Sequence, residues 1–359
     1  MQQVIDNWCV QFPQHRFTVF LQSAPNKDVF QYTNCNVEVI PRKISTKWQV
    51  YKWYQITLPA LLKKHEPQIC IQPYGMASLR TKVPQIIWSD TVLHPYIFAP
   101  NRLGKVKHTR FFTKLFLKKA SIIITSTAFV QSFIEQQYKI SNKKITIVST
   151  AISTQFQPIH WEKAELVKES YADAKAYYLY IASALPENNV MELLKAFSLF
   201  KKWQRSSMKL IITGLSETVQ KDIATKLETY KYKEDVVLLS HQTDENLALI
   251  IAAAYGVVLT DAFDGTVLSL IAALQCGVPV ITTNENAVVE ITQNACLYTA
   301  INDIDALSKQ MILLYKDEIL RSSLIQKGLQ IAEQTSVQKT AEQLFSIIEQ
   351  ANTNAHSIQ

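Results

Sequence analysis

Asp261-Ala-Phe-Asp264-Gly265-Thr266-Val267-Leu268-Ser-Leu-Ile-Ala272-Ala-Leu-Gln-Cys276-Gly277-Val278-Pro279-Val280 reads as a strand end, a tight acidic-glycine turn, a helix, a glycine stop and the next strand. The helix is expected to begin at Thr266. Its free amides, counted here as those of Gly265, Thr266, Val267 and Leu268, and the positive end of its dipole would then form an anion site suited to a diphosphate. Asp264 beside them would accept hydrogen bonds from hydroxyls. A strand, a helix and a strand joined this closely belong to a parallel sheet covered by helices.

The same alternation extends outward in both directions. Short runs rich in β-branched residues at 17–21, 37–40, 69–71, 86–88, 122–125 and 145–148 alternate with longer helical patterns. A polar stretch at 153–173, expected to be extended, interrupts them. Six further runs follow at 178–181, 210–213, 236–239, 257–260, 280–282 and 297–298, separated by helices such as Val190–Trp203. Runs that are apolar on both faces imply buried parallel strands. The expected architecture is α/β, with two Rossmann-like, doubly wound parallel-sheet domains facing a central cleft. The first domain would cover 1–150, a linker 151–176 and the second domain 177–335, and the segment 336–359 would cross back as a helix toward the first. Ligands of such sheets sit at the carboxyl ends of the strands.

Composition removes several alternatives. The chain has 359 residues, of which 48% are hydrophobic and 19% charged, enough to bury a core and too apolar for wholesale disorder. Only 7 glycines occur, and the closest pair, Gly256 and Gly265, is nine apart, so neither glycine-loop nucleotide fingerprint can be written. The 5 cysteines contain no C-x-x-C pair, which favours a reducing compartment and no zinc site. No run approaches the ~18 apolar residues that span a bilayer, and no secretory leader is legible. Residues 1–150 carry 20 Lys+Arg against 6 Asp+Glu, while 151–359 carry 17 against 24. The first half therefore faces something anionic. The expected location is the cytoplasm, with the basic half on the inner face of the membrane.

The order of residues resembles family 4 glycosyltransferases of the GT-B fold. The opening stretch is similar to the family's acid-glycine signature running into Cys276-Gly277-Val278-Pro279-Val280. Ala182-Ser183-Ala-Leu-Pro186-Glu-Asn188-Asn189-Val-Met-Glu-Leu-Leu-Lys-Ala-Phe197 resembles the family's glycine, basic pair and Leu-Leu-x-Ala-Phe helix. Leu210-Ile-Ile-Thr-Gly214, Glu290-Ile and Ala295-Cys-Leu-Tyr298 follow in order, and Ile87-Trp88-Ser89-Asp90 resembles the family's His-Asp strand end. The departures fall on the chemistry. The resemblance puts the family's first acid at Asp264, its ribose-binding acid at Ala272, its phosphate-binding Arg and Lys at Ser183 and Asn188, and its strand-end His at Ser89. The family's opening strand and glycine-rich loop find no match before the expected first helix, Gln2–Phe12.

The resemblance implies transfer of a sugar from a nucleotide-sugar donor to an envelope or lipid-linked glycan acceptor, with retention and without metal or other cofactor. Asp264, Asp90 and Ser89 are the expected catalytic group. Ser183, Asn188, Gly265, Thr266, Val267, Leu268 and His241 are expected to hold the donor. Around Arg110, Phe111, Lys114, Leu115, Lys118 and Lys119 an apolar stripe at helical spacing lies beside cations, the pattern of an acceptor patch or of docking on anionic headgroups. Nucleic acid is not expected, because no recognition motif accompanies the charge. Asp303-Ile-Asp305 spells D-x-D at a helix start and is read as a cap rather than a metal site. The rival reading is a catalytically silent relative that serves as a binding or assembly subunit at the membrane surface.

Overall fold

The computed structural model describes residues 1–24, 29–41, 47–73, 75–90, 103–182, 189–260 and 263–356. The chain forms two compact units, one from Met1–Thr150 with Ser336–Gln359 and the other from Ala151–Thr335.

The second unit is a six-stranded parallel sheet. Its strands are β7 (Tyr177–Ile181), β8 (Lys209–Thr213), β9 (Val236–Leu238), β10 (Gly256–Leu259), β11 (Val280–Thr283) and β12 (Leu297–Thr299), in the order β9-β8-β7-β10-β11-β12. That order runs outward from β7 in one direction and from β10 in the other, the doubly wound pattern with its reversal between these two strands. The register sets Tyr178 against Leu210 on one side and against Gly256 on the other. Every residue of β7, β8, β10 and β11 is buried. Such strands read as continuous apolar runs because both of their faces are covered. Helices α7 (Val190–Gln204) and α12 (Ile304–Lys316) pack on each other over one part of this sheet, and Phe197, Phe200, Met311 and Leu314 fill the core beneath them.

The stretch expected to be extended is helical in its second half. Residues Trp161–Ala172 form helix α6, which buries Val167 and Ala172 and ends at Asp173 in the left-handed conformation. Its sequence, Trp-Glu-Lys-Ala-Glu-Leu-Val-Lys-Glu-Ser-Tyr-Ala, consists mostly of good helix formers, and a Glu165–Lys168 pair at 2.8 Å supports it. Asp173 also pairs with the buried Lys209, which fastens α6 to the first residue of β8.

In the first unit all six expected strands form and all pair in parallel, in two sheets. Strands β1 (Phe17–Leu21) and β2 (Cys35–Val39) make one, with Phe17 opposite Cys35. Strands β3 (Cys70–Gln72), β4 (Gln85–Trp88), β5 (Ile122–Thr125) and β6 (Ile145–Ile147) make the other, in sequence order. Helix α14 (Val337–His356) packs on α1 (Gln2–Gln11), and Trp8 donates its indole N–H to the carbonyl of Ala341 at 2.8 Å. Thr340 donates its hydroxyl to Ser149 O at 3.0 Å, and Phe345 stacks on Phe12. The core of this unit joins Val4, Trp8, Ile86 and Ile124 with Leu344, Phe345 and Ile347 from the far end of the chain.

Candidate functional site

The carboxyl ends of β7 and β10 flank the reversal of strand order in the second unit. Ala182 follows β7, and Gly214 follows β8 with φ +83°; a Cβ on Gly214 would come within 2.7 Å of the Ala182 carbonyl oxygen. Both the positive φ and the close approach require glycine there. Across the reversal, Asn189 donates its side-chain amide to Thr260 O at 2.8 Å and ties the start of α7 to the end of β10. The hydroxyl of Thr260 is buried without a hydrogen-bond partner among the described residues. A notch of about 10 Å³ opens beside it, lined by Asn189, Glu192, Thr260, Thr299, Asn302 and Asp303 among others.

Helix α10 (Phe263–Gln275) begins three residues earlier than expected, which is a correction to the reading of the acidic-glycine turn. Asp264 and Gly265 lie within the first turn instead of before it. An acid is favourable in a first turn because it faces the positive end of the dipole, and one glycine there is tolerated. The free amides are consequently those of Phe263, Asp264 and Gly265, whereas the amides of Thr266, Val267 and Leu268 are bonded inside the helix. Of the four amides expected to be free, that of Gly265 lies ahead of the first intrahelical bond, and those of Thr266, Val267 and Leu268 do not. Val267 turns its side chain into the core, and Leu268 is exposed. Ser183 and Asn188 lie outside the described residues, as do the side chains of Asp264 and Thr266.

Ala272, where the resemblance places the ribose-binding acid, is only 2% exposed. His241 follows β9 and is exposed; the adjacent Ser240 carbonyl accepts from Thr213 Oγ1 at 3.2 Å. Asp303 caps α12, its Oδ1 accepting the amide of Ala306 at 2.9 Å, so the D-x-D spelling is a helix start.

The carboxyl ends of β4 and β5 carry the corresponding edge of the first unit. Ser89 is fully buried and its hydroxyl has no partner among the described residues. Asp90 accepts from the Trp88 indole N–H at 2.8 Å through Oδ2 and from the Ser126 amide at 2.8 Å through Oδ1. Burial pushes the Asp90 carboxyl above its ordinary value, and these donors oppose the shift. Ser126, whose amide holds Asp90, was missed by motif reading because nothing in the local sequence marks it.

Helix α4 (Leu103–Lys119) carries the basic segment. Leu117 is fully buried, Phe112 and Phe116 are half-buried, and Phe111 is 60% exposed. Lys118 and Lys119 are exposed and Lys114 is half-buried, so Phe111 is an aromatic standing among cations at helical spacing. Arg110 is engaged elsewhere, donating to Gln137 O at 3.0 Å. Lys144 donates to the carbonyls of Lys118 and Ala120 at 3.2 and 3.0 Å, satisfying the helix end with a positive charge.

These features define the fold as GT-B, and solved structures of that fold match over nearly all of the chain. WaaG, a glycosyltransferase involved in lipopolysaccharide biosynthesis, matches with a TM-score of 0.75 at 15% identity over 96% of this chain and 94% of its own. Anabaena Alr3699/HepE in complex with UDP-glucose matches with a TM-score of 0.74 at 13% identity, covering 97% and 95%. Residues 162–330, within the second unit, match the family model described as "Glycosyl transferases group 1". Among characterised relatives, O-antigen chain mannosyltransferase B of Escherichia coli is 28% identical over 222 residues, 61% of this chain. The match spans 58% of that relative's length.

Proposed function

We propose that the protein is a glycosyltransferase that moves a hexose from a nucleotide-sugar donor to a growing surface glycan of O-antigen type, with retention and without a metal ion. The observation that carries this reading is the strand reversal in the second unit, where the free amides at the start of α10 and the Asn189–Thr260 link meet at the ligand edge of a group 1 domain. Mannose is the favoured sugar, because the relative from Escherichia coli is a mannosyltransferase. The first turn of α10 would face the diphosphate and stabilise the charge that develops as it leaves. The acceptor oxygen bonds to the anomeric carbon, the bond from that carbon to the diphosphate breaks, and the acceptor's proton passes to the departing diphosphate. Asp90 and Ser89 are proposed to meet the acceptor side, Asp264 the transferred sugar, and Ser183, Asn188 and His241 the donor nucleotide. The basic first unit, with 21 Lys+Arg against 8 Asp+Glu over 1–150 and 336–359, would hold a lipid-linked acceptor against an anionic cytoplasmic membrane surface. Among the described residues no helix is long and apolar enough to cross a membrane.

Incubation with nucleotide-linked mannose and glucose and a lipid-linked acceptor, followed by mass analysis of the acceptor, tests the reading. A gain of one hexose is expected, with the anomeric configuration of the product equal to that of the donor. Burial of Ala272 where a ribose-binding acid would stand favours a second reading, a silent scaffold at the same surface. A protein that binds acceptor and membrane but neither nucleoside diphosphates nor their sugars would be that scaffold.

A further inference from the structure

The notch beside Thr260 is built from parts far apart in sequence: Asn189 and Glu192 at the start of α7, Thr260 after β10, and Asn302 and Asp303 ahead of α12. At about 10 Å³ it admits one water-sized group, so a sugar ring stays outside and a single hydroxyl enters. Thr260 is 5% exposed and its Oγ1 has no partner among the described residues, although its own carbonyl accepts from Asn189. A buried hydroxyl left unpaired is destabilising, and valine would fill the same space without that cost. Such a group calls for an explanation, and completion by a ligand is one, since sites are commonly kept at some expense of stability.

The charge of the walls selects among ligands. Glu192 lines the notch, and Asp303 has committed Oδ1 to the Ala306 amide while Oδ2 takes no part in that cap. Two carboxylates repel a phosphate, which places the diphosphate elsewhere. A neutral hydroxyl fits both kinds of wall, because it can accept from the Thr260 O–H and donate to the Glu192 carboxylate. The notch also adjoins the proposed donor site: Asn189 follows Asn188, and Thr260 is four residues before Asp264.

We propose that this notch seats one hydroxyl of the donor's sugar ring, with Thr260 Oγ1 and Glu192 as its partners, and so distinguishes the nucleotide sugar from the bare nucleoside diphosphate. The proposal rests on the glycosyltransferase reading and adds the residues that read the sugar.

Calorimetric titration with UDP and UDP-glucose, and with GDP and GDP-mannose, tests it on wild type, Thr260→Val and Glu192→Gln, with urea unfolding of each. Thr260→Val is expected to bind the bare diphosphate as wild type does, to bind the matching sugar nucleotide about tenfold more weakly, and to unfold at the same or higher urea concentration. Glu192→Gln, at a half-buried position, should show the same sugar-selective loss, which keeps the test open if the valine variant folds poorly. Wild-type sugar affinity in both variants would overturn the notch alone and leave Thr260 Oγ1 a packing defect. Wild type that binds no nucleoside diphosphate would overturn the donor reading, and the notch with it.

Discussion

Tyr177 and Tyr178, neighbours on the central strand β7, send their phenolic hydroxyls to helices that follow different strands. Tyr177 donates to Ile250 O at 2.6 Å in helix α9 (Asp244–Ala252), and Tyr178 donates to Met311 O at 2.7 Å in α12. Successive strand residues point to opposite faces, so one dipeptide anchors both layers of helices. Burial raises both phenols well above their ordinary value, which keeps them neutral donors. Replacing either by phenylalanine should cost about 1–3 kcal/mol in urea unfolding, because a buried carbonyl is left without that donor. A loss below a few tenths of a kcal/mol would show that the helix carbonyls were already satisfied within their own helices.

Gly214→Ala should be more damaging than Gly277→Ala. Both glycines have positive φ, but the added Cβ at 214 meets backbone at 2.7 Å while at 277 the nearest atom is a proline side-chain carbon at 3.6 Å. The left-handed conformation alone costs about 1–2 kcal/mol. Thermal unfolding should show that much for Gly277→Ala and a larger loss for Gly214→Ala, accompanied by weaker nucleotide binding because the end of β7 is displaced.

Ala272→Glu restores the acid of the family pattern at a position that is enclosed. A carboxylate buried there without a partner should destabilise the second unit by several kcal/mol or take up a proton. Chemical denaturation should show an early transition at neutral pH that recovers toward acid pH. A variant as stable as wild type would mean that the helix turns this face toward the ligand edge with little resistance.

Asp90 gives a pH signature of the opposite sense to a salt-bridged acid. Its folded carboxyl is raised above the ordinary 3.8, so the folded state holds this proton more tightly than the unfolded state. Its contribution is greatest below the unfolded value and is lost as pH rises through the folded one. The Asp90→Asn variant should therefore lack one component of the stability loss seen as pH climbs out of the acid range. Identical pH–stability curves for the two proteins would count against the shift.

If the cations of α4 dock on anionic lipid, Lys114→Glu, Lys118→Glu and Lys119→Glu combined should abolish co-sedimentation with phosphatidylserine or phosphatidylglycerol vesicles. Wild-type binding should also fall as salt is added, since screening limits the field to about 8 Å at physiological ionic strength. Phe111→Ser should weaken binding without changing its salt dependence. Binding that ignores all three changes would make the basic face plain solvation.

The central strands were readable in the sequence because they are bursts of β-branched or aromatic residues mostly buried on both sides, as in Ile122-Ile-Ile-Thr and Tyr177-Tyr-Leu-Tyr-Ile. Helix α6 was not, because it buries little beyond Val167 and Ala172 and so lacks an apolar period; its signal lies in propensity alone. The start of α10 was misplaced because Asp-Gly is a turn signal in isolation, whereas here the helix absorbs it. The grip of Trp88 and Ser126 on Asp90 joins two strands 36 residues apart, and the Thr260 notch joins segments more than a hundred apart. Only the fold brings such groups together, and no local pattern announces them.

The first unit is closed by helix α14, whose Thr340 and Ala341 bond to Ser149 and Trp8. The order in which the ribosome delivers the chain therefore runs against the usual expectation that amino-terminal domains mature first. A nascent chain that has reached Thr335 holds every residue of the second unit, while its older first unit still lacks a wall of its core. A stop codon at Ser336, which removes α14, would accordingly appear as protease sensitivity near Trp8, more than three hundred residues from the lesion.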